Sequence, residues 1–307
     1  MFDLISVGHI TIDSISLPGR DTVVVALGGS VAYVSLAARF LDATVSVISK
    51  VGMAFKEEYL EQLRKNAVDL SGLMKVENAE TTRFRLKYDD YLSKRELYLD
   101  TMAPPITIED LPEHLTAKVI HVAPVAGEIA YETVDKLRKY ARKLSLDPQG
   151  FLRAFNKRGR VTLNSPADKR ILELVDIYKS SSDEVKALTG LSNLKSAINT
   201  IHGFGVETVI ITLGNKGAML SFDETIYMIP AYRSKNIVDP TGAGDVFIGA
   251  FLAEYILGKS VLWGAYVGSA AASLAIEVAG SLFSSTQTDI RQRAYALYKE
   301  RDSTNQV

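Results

Sequence analysis

The residues best placed to do chemistry lie in one short run, Asp239-Pro240-Thr241-Gly242-Ala243-Gly244-Asp245. The apolar residues that follow have helical spacing, so the run predicts a glycine-rich turn that opens a helix. The first amides of a helix have no partner within it, and the helix dipole favours negative charge there, so an oxyanion or a phosphate would fit. Asp245, in the first turn, would add a carboxylate base beside the bound anion. The alternative is an ordinary helix start that Thr241 or Asp245 caps.

Two weaker candidates lie near the start of the chain. Asp13 comes just past a predicted buried strand, at the edge where ligands bind in open α/β sheets, and its carboxylate could accept hydrogen bonds from neighbouring hydroxyl groups. Gly28 and Gly29 precede a helical pattern and would let the backbone approach a polyol closely. A turn-forming aspartate and a pair of strand-ending glycines are the alternatives that stay open here.

The elements that would carry these residues alternate between strand and helix. Short runs rich in β-branched residues and leucine predict strands that are buried on both faces. These runs are residues 4–7, 45–48, 119–122 and 209–213. Between them apolar residues recur at helical spacings of three and four, as at Val134, Leu137, Ala141 and Leu144. The alternation predicts an α/β fold with a doubly wound, mainly parallel sheet.

One segment breaks this alternation. Thr82, Phe84, Leu86 and Tyr88 interleave with basic residues, and a second short run follows a turn at residues 89–91. The pattern predicts a half-exposed antiparallel hairpin. With residues 12–27 it would form a small second sheet over one edge of the main sheet. We therefore predict a single domain, residues 1–307, with lid segments at about 12–27 and 82–99. A surface hairpin without function is the alternative.

The composition excludes several classes of function. Lys and Arg number 35 against 36 Asp and Glu, so the net charge of -1 provides no positive field for nucleic acid or a membrane surface. The chain has no cysteine and therefore no disulfide, thiolate nucleophile or cysteine-bound zinc. Its four histidines lack metal-ligand spacing. The acidic start lacks the basic segment of a signal peptide, which predicts a cytoplasmic protein. Residues 261–282 predict a packed helix, because Glu277 would lie unpaired in a membrane.

The run at 239–245 matches the signature D-T/P-T-G-A-G-D, by which the chain resembles the ribokinase-like, or PfkB, carbohydrate kinases. Further segments similar to the family follow in its order. They are Gly8-His9-Ile10-Thr11-Ile12-Asp13, Gly28-Gly29-Ser30-Val31-Ala32, Ser181-Ser182-Asp183-Glu184 and Thr212-Leu213-Gly214-Asn215-Lys216-Gly217. The resemblance implies a ribokinase-like α/β/α sandwich with a small antiparallel β lid. It also implies transfer of the γ-phosphate of ATP to a hydroxyl group of a small sugar or polyol.

The resemblance assigns roles to individual residues. Asp245 would be the general base, and the amides of Gly242, Ala243 and Gly244 would stabilise the transferring group. The residues implied to contact the acceptor are Asp13, Gly28, Gly29, Ser30 and Tyr33. Those implied to contact the nucleotide are Thr212, Gly214, Lys216, Gly217, Thr241, Ser269 and Gly280. Glu184 would order Mg²⁺ through water.

The chain departs from the family pattern at three positions. Tyr33 stands where the family usually has an asparagine that contacts the acceptor, and Ser181 opens the N-x-x-E box. Ser269 replaces an asparagine that many relatives carry near the adenine, so ATP, ADP and GTP stay open as phosphate donors. Residues 146–153 are similar to a segment of inositol kinases, which would put Gln149 and Arg153 near the acceptor. The same segment also reads as a turn after a strand.

The identity of the acceptor stays open between classes. Inositol or another polyol and a pentose such as ribose are the first two, and a nucleoside is the third. A non-catalytic sugar- or nucleotide-sensing protein is the alternative outside the enzymes. The resemblance further implies a homodimer through the lid, for which Phe84, Leu86 and Tyr88 would offer an apolar face.

Overall fold

Strands and helices alternate along the chain in the computed structural model, which describes residues 1–92, 94–165, 168–234, 236–280 and 286–304. The strands are β1 (Phe2–Val7), β2 (Thr11–Ser16), β3 (Val24–Gly28), β4 (Val45–Gly52), β5 (Asp69–Val76), β6 (Arg83–Tyr88), β7 (Arg95–Thr101), β8 (Ala117–Val122), β9 (Ala141–Leu146), β10 (Arg153–Phe155), β11 (Val161–Leu163), β12 (Ile177–Ser181), β13 (Thr208–Thr212), β14 (Ala218–Phe222) and β15 (Thr225–Ile229). The α-helices are α1 (Ser30–Phe40), α2 (Glu57–Lys65), α3 (Tyr131–Arg138), α4 (Gln149–Leu152), α5 (Ser182–Thr189), α6 (Leu194–His202), α7 (Ala243–Ile256), α8 (Val261–Ala275) and α9 (Gln287–Thr304).

The main sheet has the strand order β15-β14-β13-β12-β9-β8-β1-β4-β5 among the described residues. Neighbours from β13 to β5 pair in parallel, and β14 and β15 add an antiparallel hairpin at one edge. Alternate residues of the strands point to opposite faces, where α1, α7, α8 and α9 cover one side and α3, α5 and α6 cover the other. The predicted α/β class with a doubly wound, mainly parallel sheet is confirmed.

One predicted helix ends earlier than its spacing indicated. α3 ends at Arg138, and Ala141 and Leu144 lie in strand β9 instead. Both ends of this stretch are apolar because both the helix and the strand are buried. Apolar residues spaced by three or four over so short a stretch do not distinguish a buried helix from a buried strand.

The apolar segment that begins at Val261 forms helix α8, which packs on α7. A Cβ on Gly268 would lie 2.7 Å from the backbone oxygen of Phe247, so the two helices are almost in backbone contact. Glu277, just beyond α8, forms an ion pair with Arg293 at 3.0 Å. Residues 281 and 282 of the predicted segment lie outside the described residues. Within the described ranges, no helix has both the length and the apolar character needed to span a bilayer.

A small second sheet, with the order β3-β2-β6-β7, contains the predicted hairpin as β6 and β7. It is not antiparallel throughout, because its central strands β2 and β6 pair in parallel. Phe84, Leu86 and Tyr88 are buried in a cluster with residues such as Ile15 and Val125. The apolar face of the hairpin therefore covers the chain's own body, and the expectation that these three residues present a dimer surface is wrong.

A second, shorter hairpin was not predicted. Strands β10 and β11 pair antiparallel, and the amide of Leu99 in β7 donates to the oxygen of Gly159 at their turn, at 2.9 Å. A Cβ on Gly159 would lie 2.1 Å from the oxygen of Leu99, so only glycine permits this approach. The hairpin extends the edge of the small sheet and begins with Arg153.

Buried polar groups join the small sheet to the main sheet. His9, which links β1 to β2, makes ring hydrogen bonds to Thr82 Oγ1 at 2.8 Å and to the Pro104 oxygen at 3.0 Å. The buried Glu128 carboxylate accepts from the backbone amides of His9, Val125 and Ala126. Since these amides would otherwise be unsatisfied in the core, Glu128 fixes the loop that supplies Val125 to the site.

Candidate active site

A cleft between the small sheet and the carboxyl edge of the main sheet brings together most of the predicted acceptor and phosphate residues. The predicted residues that line it are Asp13, Gly29, Ser30, Tyr33, Gln149, Arg153, Thr241, Gly242 and Asp245. Six residues without a predicted site role also line it, namely Thr11, Phe84, Leu86, Arg95, Leu97 and Val125. The carboxyl ends of parallel strands are the edge where ligands bind in open α/β sheets.

The glycines of the turn before α7 are required by close neighbours. Gly242 has φ 76°, in the left-handed region, and a Cβ there would lie 2.5 Å from the ring of Tyr33. A Cβ on Gly244 would lie 2.9 Å from Nζ of Lys179. The helix start is therefore held between an aromatic ring and an ammonium group, with no side chain of its own between them.

The amides of this turn differ in what they donate to. The amide of Asp245 donates to the oxygen of Gly242 at 2.9 Å, and that of Ala243 makes a long contact of 3.4 Å to the oxygen of Pro240. Within the described part of the chain, the amides of Gly242 and Gly244 have no hydrogen-bond acceptor. Two of the predicted donors are thus unengaged at the start of a 14-residue helix, which favours an anion beside them.

Asp245 lies in the first turn of α7, and its position is fixed from α1. The hydroxyl of Ser30 donates to Oδ1 of Asp245, although the two residues are 215 positions apart in sequence. Ser30 is buried, so this hydrogen bond is protected from water. The bond orients the carboxylate beside the turn and leaves Oδ2 as the oxygen that can take a proton from a ligand.

Asp13 is buried on β2 and faces the cleft. Thr11 Oγ1 donates to its Oδ1 at 2.6 Å. Burial raises the pKa of Asp13 to about 6, against the lowering effects of that hydrogen bond and of Arg95 and Arg153. A Cβ on Gly28 would lie 2.2 Å from the carboxylate, so Gly28 makes room for Asp13 and does not itself line the cleft.

Tyr33 lies on α1 with its ring against Gly242. Its side chain is buried, and its hydroxyl has no hydrogen-bond partner in the described part of the chain. Burial and the nearby carboxylates of Asp13, Asp239 and Asp245 raise the pKa of Tyr33 well above its ordinary value. The hydroxyl is therefore protonated and is a buried donor without an acceptor among the described residues.

Gln149 and Arg153 stand at the two ends of α4. Arg153 donates to the backbone oxygen of Val125 at 2.8 Å and to Oε1 of Gln149. Its guanidinium also lies over the ring of Phe84, 5.5 Å from the centroid. The turn predicted at residues 146–153 thus carries two polar side chains into the cleft, and each holds the other in place.

Lys179 is a site residue that the sequence analysis missed. It lies on β12, and its ammonium pairs with Asp147 at 2.6 Å, both side chains being almost fully buried. Burial alone would lower the pKa of Lys179, but the surrounding carboxylates of Asp147, Asp245 and Glu184 raise it above its ordinary value. Among the described residues the ammonium donates one hydrogen bond, to Asp147. Two of its three N–H donors are then left for the space beside Gly244.

The residues predicted to contact the nucleotide lie outside this cleft, except Thr241. Thr212 ends β13 beside Ser181 of β12, and Gly214 and Lys216 are exposed just after it. Close packing requires a glycine at position 217, because a Cβ on Gly217 would lie 2.0 Å from the backbone oxygen of Ile229.

Two other predicted nucleotide residues are engaged within the protein. Ser269 is buried and donates its hydroxyl to the oxygen of Pro230 at 2.7 Å. Gly280 donates its amide to Asp239 Oδ2 at 3.0 Å, while Asp239 Oδ1 accepts from the amide of Thr241 at 2.9 Å. The Asp239 contacts tie the turn at 239–245 to Gly280, and the Ser269 bond ties α8 to the segment after β15.

Glu184 forms a capping box at the start of α5. Its Oε2 accepts from the amide and the hydroxyl of Ser181 at 2.7 and 2.8 Å, and the Ser181 hydroxyl accepts from the Glu184 amide. The unusual serine of the N-x-x-E box is thus a helix cap in this chain. No hydrogen bond to Oε1 of Glu184 is present in the described ranges.

Three of the four histidines make hydrogen bonds within the protein, while His114 is exposed. His121 bonds Ser145 Oγ through Nδ1 at 2.9 Å, and burial lowers its pKa to about 3. His202 bonds the Val206 oxygen and Ser221 Oγ. Within the described residues, no group of three or more histidine and carboxylate side chains could hold a metal ion.

Comparison with known proteins gives a family match over most of the chain. Residues 1–288 match the model of the pfkB family carbohydrate kinases. The chain is 29% identical over 262 residues to the cytidine kinase of Thermococcus kodakarensis, covering 84% of this chain and 90% of that protein. It is also 29% identical over 272 residues to an inositol 3-kinase of Oryza sativa, covering 80% of this chain and 62% of that protein.

Solved structures show the same fold. A pyrophosphate-dependent kinase in the ribokinase family, complexed with a pyrophosphate analog and myo-inositol, matches with a TM-score of 0.80 and 24% identity over 94% of this chain and 99% of its own. The nucleoside kinase of Methanocaldococcus jannaschii matches with a TM-score of 0.77 and 22% identity over 96% of this chain and 99% of its own.

The burial of Asp13 has a consequence for stability. Because the pKa of Asp13 is raised to about 6, the folded chain binds a proton there near pH 5 that the unfolded chain releases, so the contribution of Asp13 to stability becomes more favourable as the pH falls from 6 to 4. We expect Asp13→Asn to be more stable than wild type at pH 8 by up to about 3 kcal/mol, and the difference to vanish near pH 4. Urea unfolding between pH 4 and 8 measures it, with the exposed Asp21→Asn as control. A pH-independent difference would contradict the expectation.

Proposed function

The chain belongs to the pfkB family of carbohydrate kinases, and on that premise we propose that it transfers the γ-phosphoryl group of ATP to a hydroxyl group of a small sugar or polyol. The enzyme class, a phosphotransferase with a hydroxyl acceptor, follows from the family. The observation that carries the specific proposal is the position of the Asp245 carboxylate beside the unengaged amides of Gly242 and Gly244. That arrangement supports a base and an anion site at the same helix start.

In the proposed reaction the acceptor hydroxyl gives its proton to Asp245 as its oxygen attacks the γ-phosphorus. The new O–P bond forms while the bond between the γ-phosphorus and the bridging oxygen breaks, and ADP leaves. The amides of Gly242 and Gly244 and the ammonium of Lys179 would stabilise charge on the transferring group. Ser30 keeps Asp245 oriented through its hydrogen bond to Oδ1.

The acceptor would lie among Asp13, Gly29, Ser30, Tyr33, Gln149 and Arg153. Asp13 and Gln149 can accept hydrogen bonds from acceptor hydroxyls, and Tyr33 and Arg153 can donate to them. Such a set of donors and acceptors around one cleft suits a polyol with several hydroxyl groups, such as an inositol or a pentose. Similarity to the segment of inositol kinases supports the inositol class.

A nucleoside acceptor is the second candidate. The identity of 29% to a cytidine kinase over 84% of this chain favours it as much as the inositol 3-kinase match favours an inositol. The hydroxyls of a ribose ring would meet the same polar side chains. The base would then lie against Phe84, Leu86 and Leu97 of the small sheet, which line the cleft on that side.

For the phosphate donor, we propose that ATP lies along the ends of β12 and β13. Thr212, Gly214, Lys216 and Gly217 would border its phosphates and ribose. Thr241, Ser269 and Gly280 would border it from the side of α7 and α8, with Ser269 and Gly280 acting through the backbone that they hold. ADP, GTP and pyrophosphate are the other donors to test, since a structural neighbour is pyrophosphate-dependent.

Magnesium would accompany the donor. Mg²⁺ is commonly bound through one or two carboxylates together with nucleotide phosphates and waters, so a site with a single available carboxylate fits it. Glu184, with Oε2 in the capping box, would hold the hydrated ion through Oε1. When bound, Mg²⁺ supplies positive charge to the β and γ phosphate oxygens.

We further propose that residues 1–307 act as one domain in which the small sheet is a lid, with segments at about 12–27 and 82–99. Water competes with the acceptor for the γ-phosphate, and a sheet whose apolar face covers the cleft would exclude it.

The first prediction about catalysis concerns Asp245. Asp245→Asn keeps the side-chain size but cannot take a proton, so we expect turnover to fall by about 10² to 10⁴ while donor binding persists. ADP release is measured with Mg²⁺ and ATP over ribose, fructose, 2-keto-3-deoxygluconate, myo-inositol, adenosine and cytidine. Asp135→Asn, at an exposed helix position, is the control. Turnover by Asp245→Asn at the wild-type rate would exclude Asp245 as the base. If the wild type showed no activity with any acceptor or donor, the result would favour a non-catalytic sugar- or nucleotide-sensing protein.

The second prediction concerns Lys179. Removing it alone leaves the Asp147 charge buried and unpaired, which costs about 3 to 5 kcal/mol of stability, so both partners are replaced together. We expect Lys179→Met with Asp147→Leu to fold but to lose about 10² or more in kcat with the best acceptor of the panel. Steady-state kinetics and urea unfolding measure the two effects. A folded double variant with wild-type kcat would reduce Lys179 to a structural role.

The homodimer through the small sheet stays a prediction. Its interface must lie elsewhere on that sheet than at Phe84, Leu86 and Tyr88, which are buried. Val25 in edge strand β3 is 55% exposed, and Val23, just before that strand, is 53% exposed. In the described part of the chain β3 pairs on one side with β2. We expect sedimentation velocity to give the mass of two chains for the wild type and of one chain for Val25→Lys. A wild-type monomer at tens of micromolar would contradict the prediction.

A further inference from the structure

One side chain of the small sheet reaches the turn that would hold the transferring phosphoryl group, and a second side chain bonds to the first. The hydroxyl of Tyr88, at the end of β6, lies 2.9 Å from Oγ1 of Thr241. Arg95, at the start of β7, donates from Nη1 to the same Tyr88 oxygen at 3.3 Å. Because a guanidinium can only donate, the Tyr88 oxygen accepts from Arg95 and its own proton is available to Thr241.

The Tyr88–Thr241 contact is buried and joins distant parts of the chain. Tyr88 packs in the apolar cluster under the small sheet, and Thr241 is 6% exposed. The two residues are 153 positions apart in sequence. Separating the two hydroxyls without water would leave the Thr241 hydroxyl without a partner in the described part of the chain and the Tyr88 proton without an acceptor, although the Tyr88 oxygen would keep its bond from Arg95. The bond therefore favours the position of the small sheet over the cleft.

Thr241 transmits this contact to the anion-binding turn. Its amide donates to Asp239 Oδ1, and the next residue is Gly242, whose left-handed conformation starts α7. Glycine makes this conformation accessible but does not enforce it, because glycine has more backbone conformations than any other residue. A side-chain anchor one residue earlier reduces the number of conformations that the turn can adopt.

We propose that Tyr88 is a positioning residue: it holds the turn at 239–245 in its phosphate-binding conformation when the small sheet is seated over the cleft. Phosphoryl transfer is thereby coupled to enclosure of the acceptor. Hydrolysis of ATP by water is slow while the small sheet is displaced from the cleft. The inference rests on the proposed kinase function. It adds a residue of the small sheet to the machinery of the turn.

The experiment compares Tyr88→Phe, Thr241→Val and the double variant with the wild type. Each single change removes one hydroxyl and keeps the packing volume. Hydrogen–deuterium exchange of the backbone at 239–246, without ligands, reads the turn directly and needs no acceptor. We expect exchange there to rise about five-fold in each single variant, the equivalent of one net hydrogen bond, and no further in the double variant. Tyr98→Phe, at a β7 tyrosine that bonds the exposed Glu96, is the control and should leave this exchange unchanged.

Kinetics with Mg²⁺ and ATP, using myo-inositol and cytidine as acceptors, separate positioning from binding. We expect Tyr88→Phe to lower kcat about five-fold, to leave KM for the acceptor unchanged, and to raise ATP hydrolysis relative to transfer. Unchanged exchange at 239–246, or a rise shared equally by the whole chain, would overturn the inference. If the wild type phosphorylates neither acceptor, that result bears on the proposed function, and the exchange data still decide the role of Tyr88.

Discussion

The site depends on one buried cation. The ammonium of Lys179 lies against Gly244 and among the carboxylates of Asp147, Asp245 and Glu184, in a part of the protein where an isolated charge is costly. Its pairing with Asp147 ties β12 to the segment after β9, and its contact with Gly244 sets how closely α7 approaches the sheet. The glycines of the turn, the start of α7 and the charge around Asp245 are therefore parts of one arrangement. A side chain at position 244 would disturb all three.

The cleft has two walls of different construction. The side with Asp245, Gly242 and Lys179 rests on the main sheet and on helices whose backbones nearly touch, as α7 and α8 do at Gly268. The opposite side consists of short strands in the small sheet, linked to the main sheet through hydrogen bonds of His9 and Glu128. Rigid packing on one side suits a charge distribution that must be in place before reaction. Short strands on the other side can move with less loss of buried area.

Local features of the site could be predicted from the sequence, while contacts between distant segments could not. The run at 239–245 specifies a glycine-rich helix start on its own, so the position of that start was accessible, while its anion-binding role stays a prediction. Lys179 was not predicted, although a charged residue within a buried strand was a signal, because nothing in the sequence names Asp147 as its partner. The alternation at 82–88 identified an apolar face but not the surface that it covers. The hairpin β10–β11 has strands of three residues, too short to leave a periodic pattern.

The second hairpin has a consequence for how this enzyme could diversify. Arg153 stands at its first residue, and its tip around Gly159 attaches to β7 at the rim of the small sheet. Insertions or deletions between residues 156 and 160 would therefore change the height of the wall over the acceptor. They would leave Lys179 on β12, and Asp245 and the glycine amides at the start of α7, untouched. In evolutionary terms the proposed acceptor pocket could then change separately from the residues proposed to transfer the phosphoryl group, so new substrates could arise without rebuilding the chemistry.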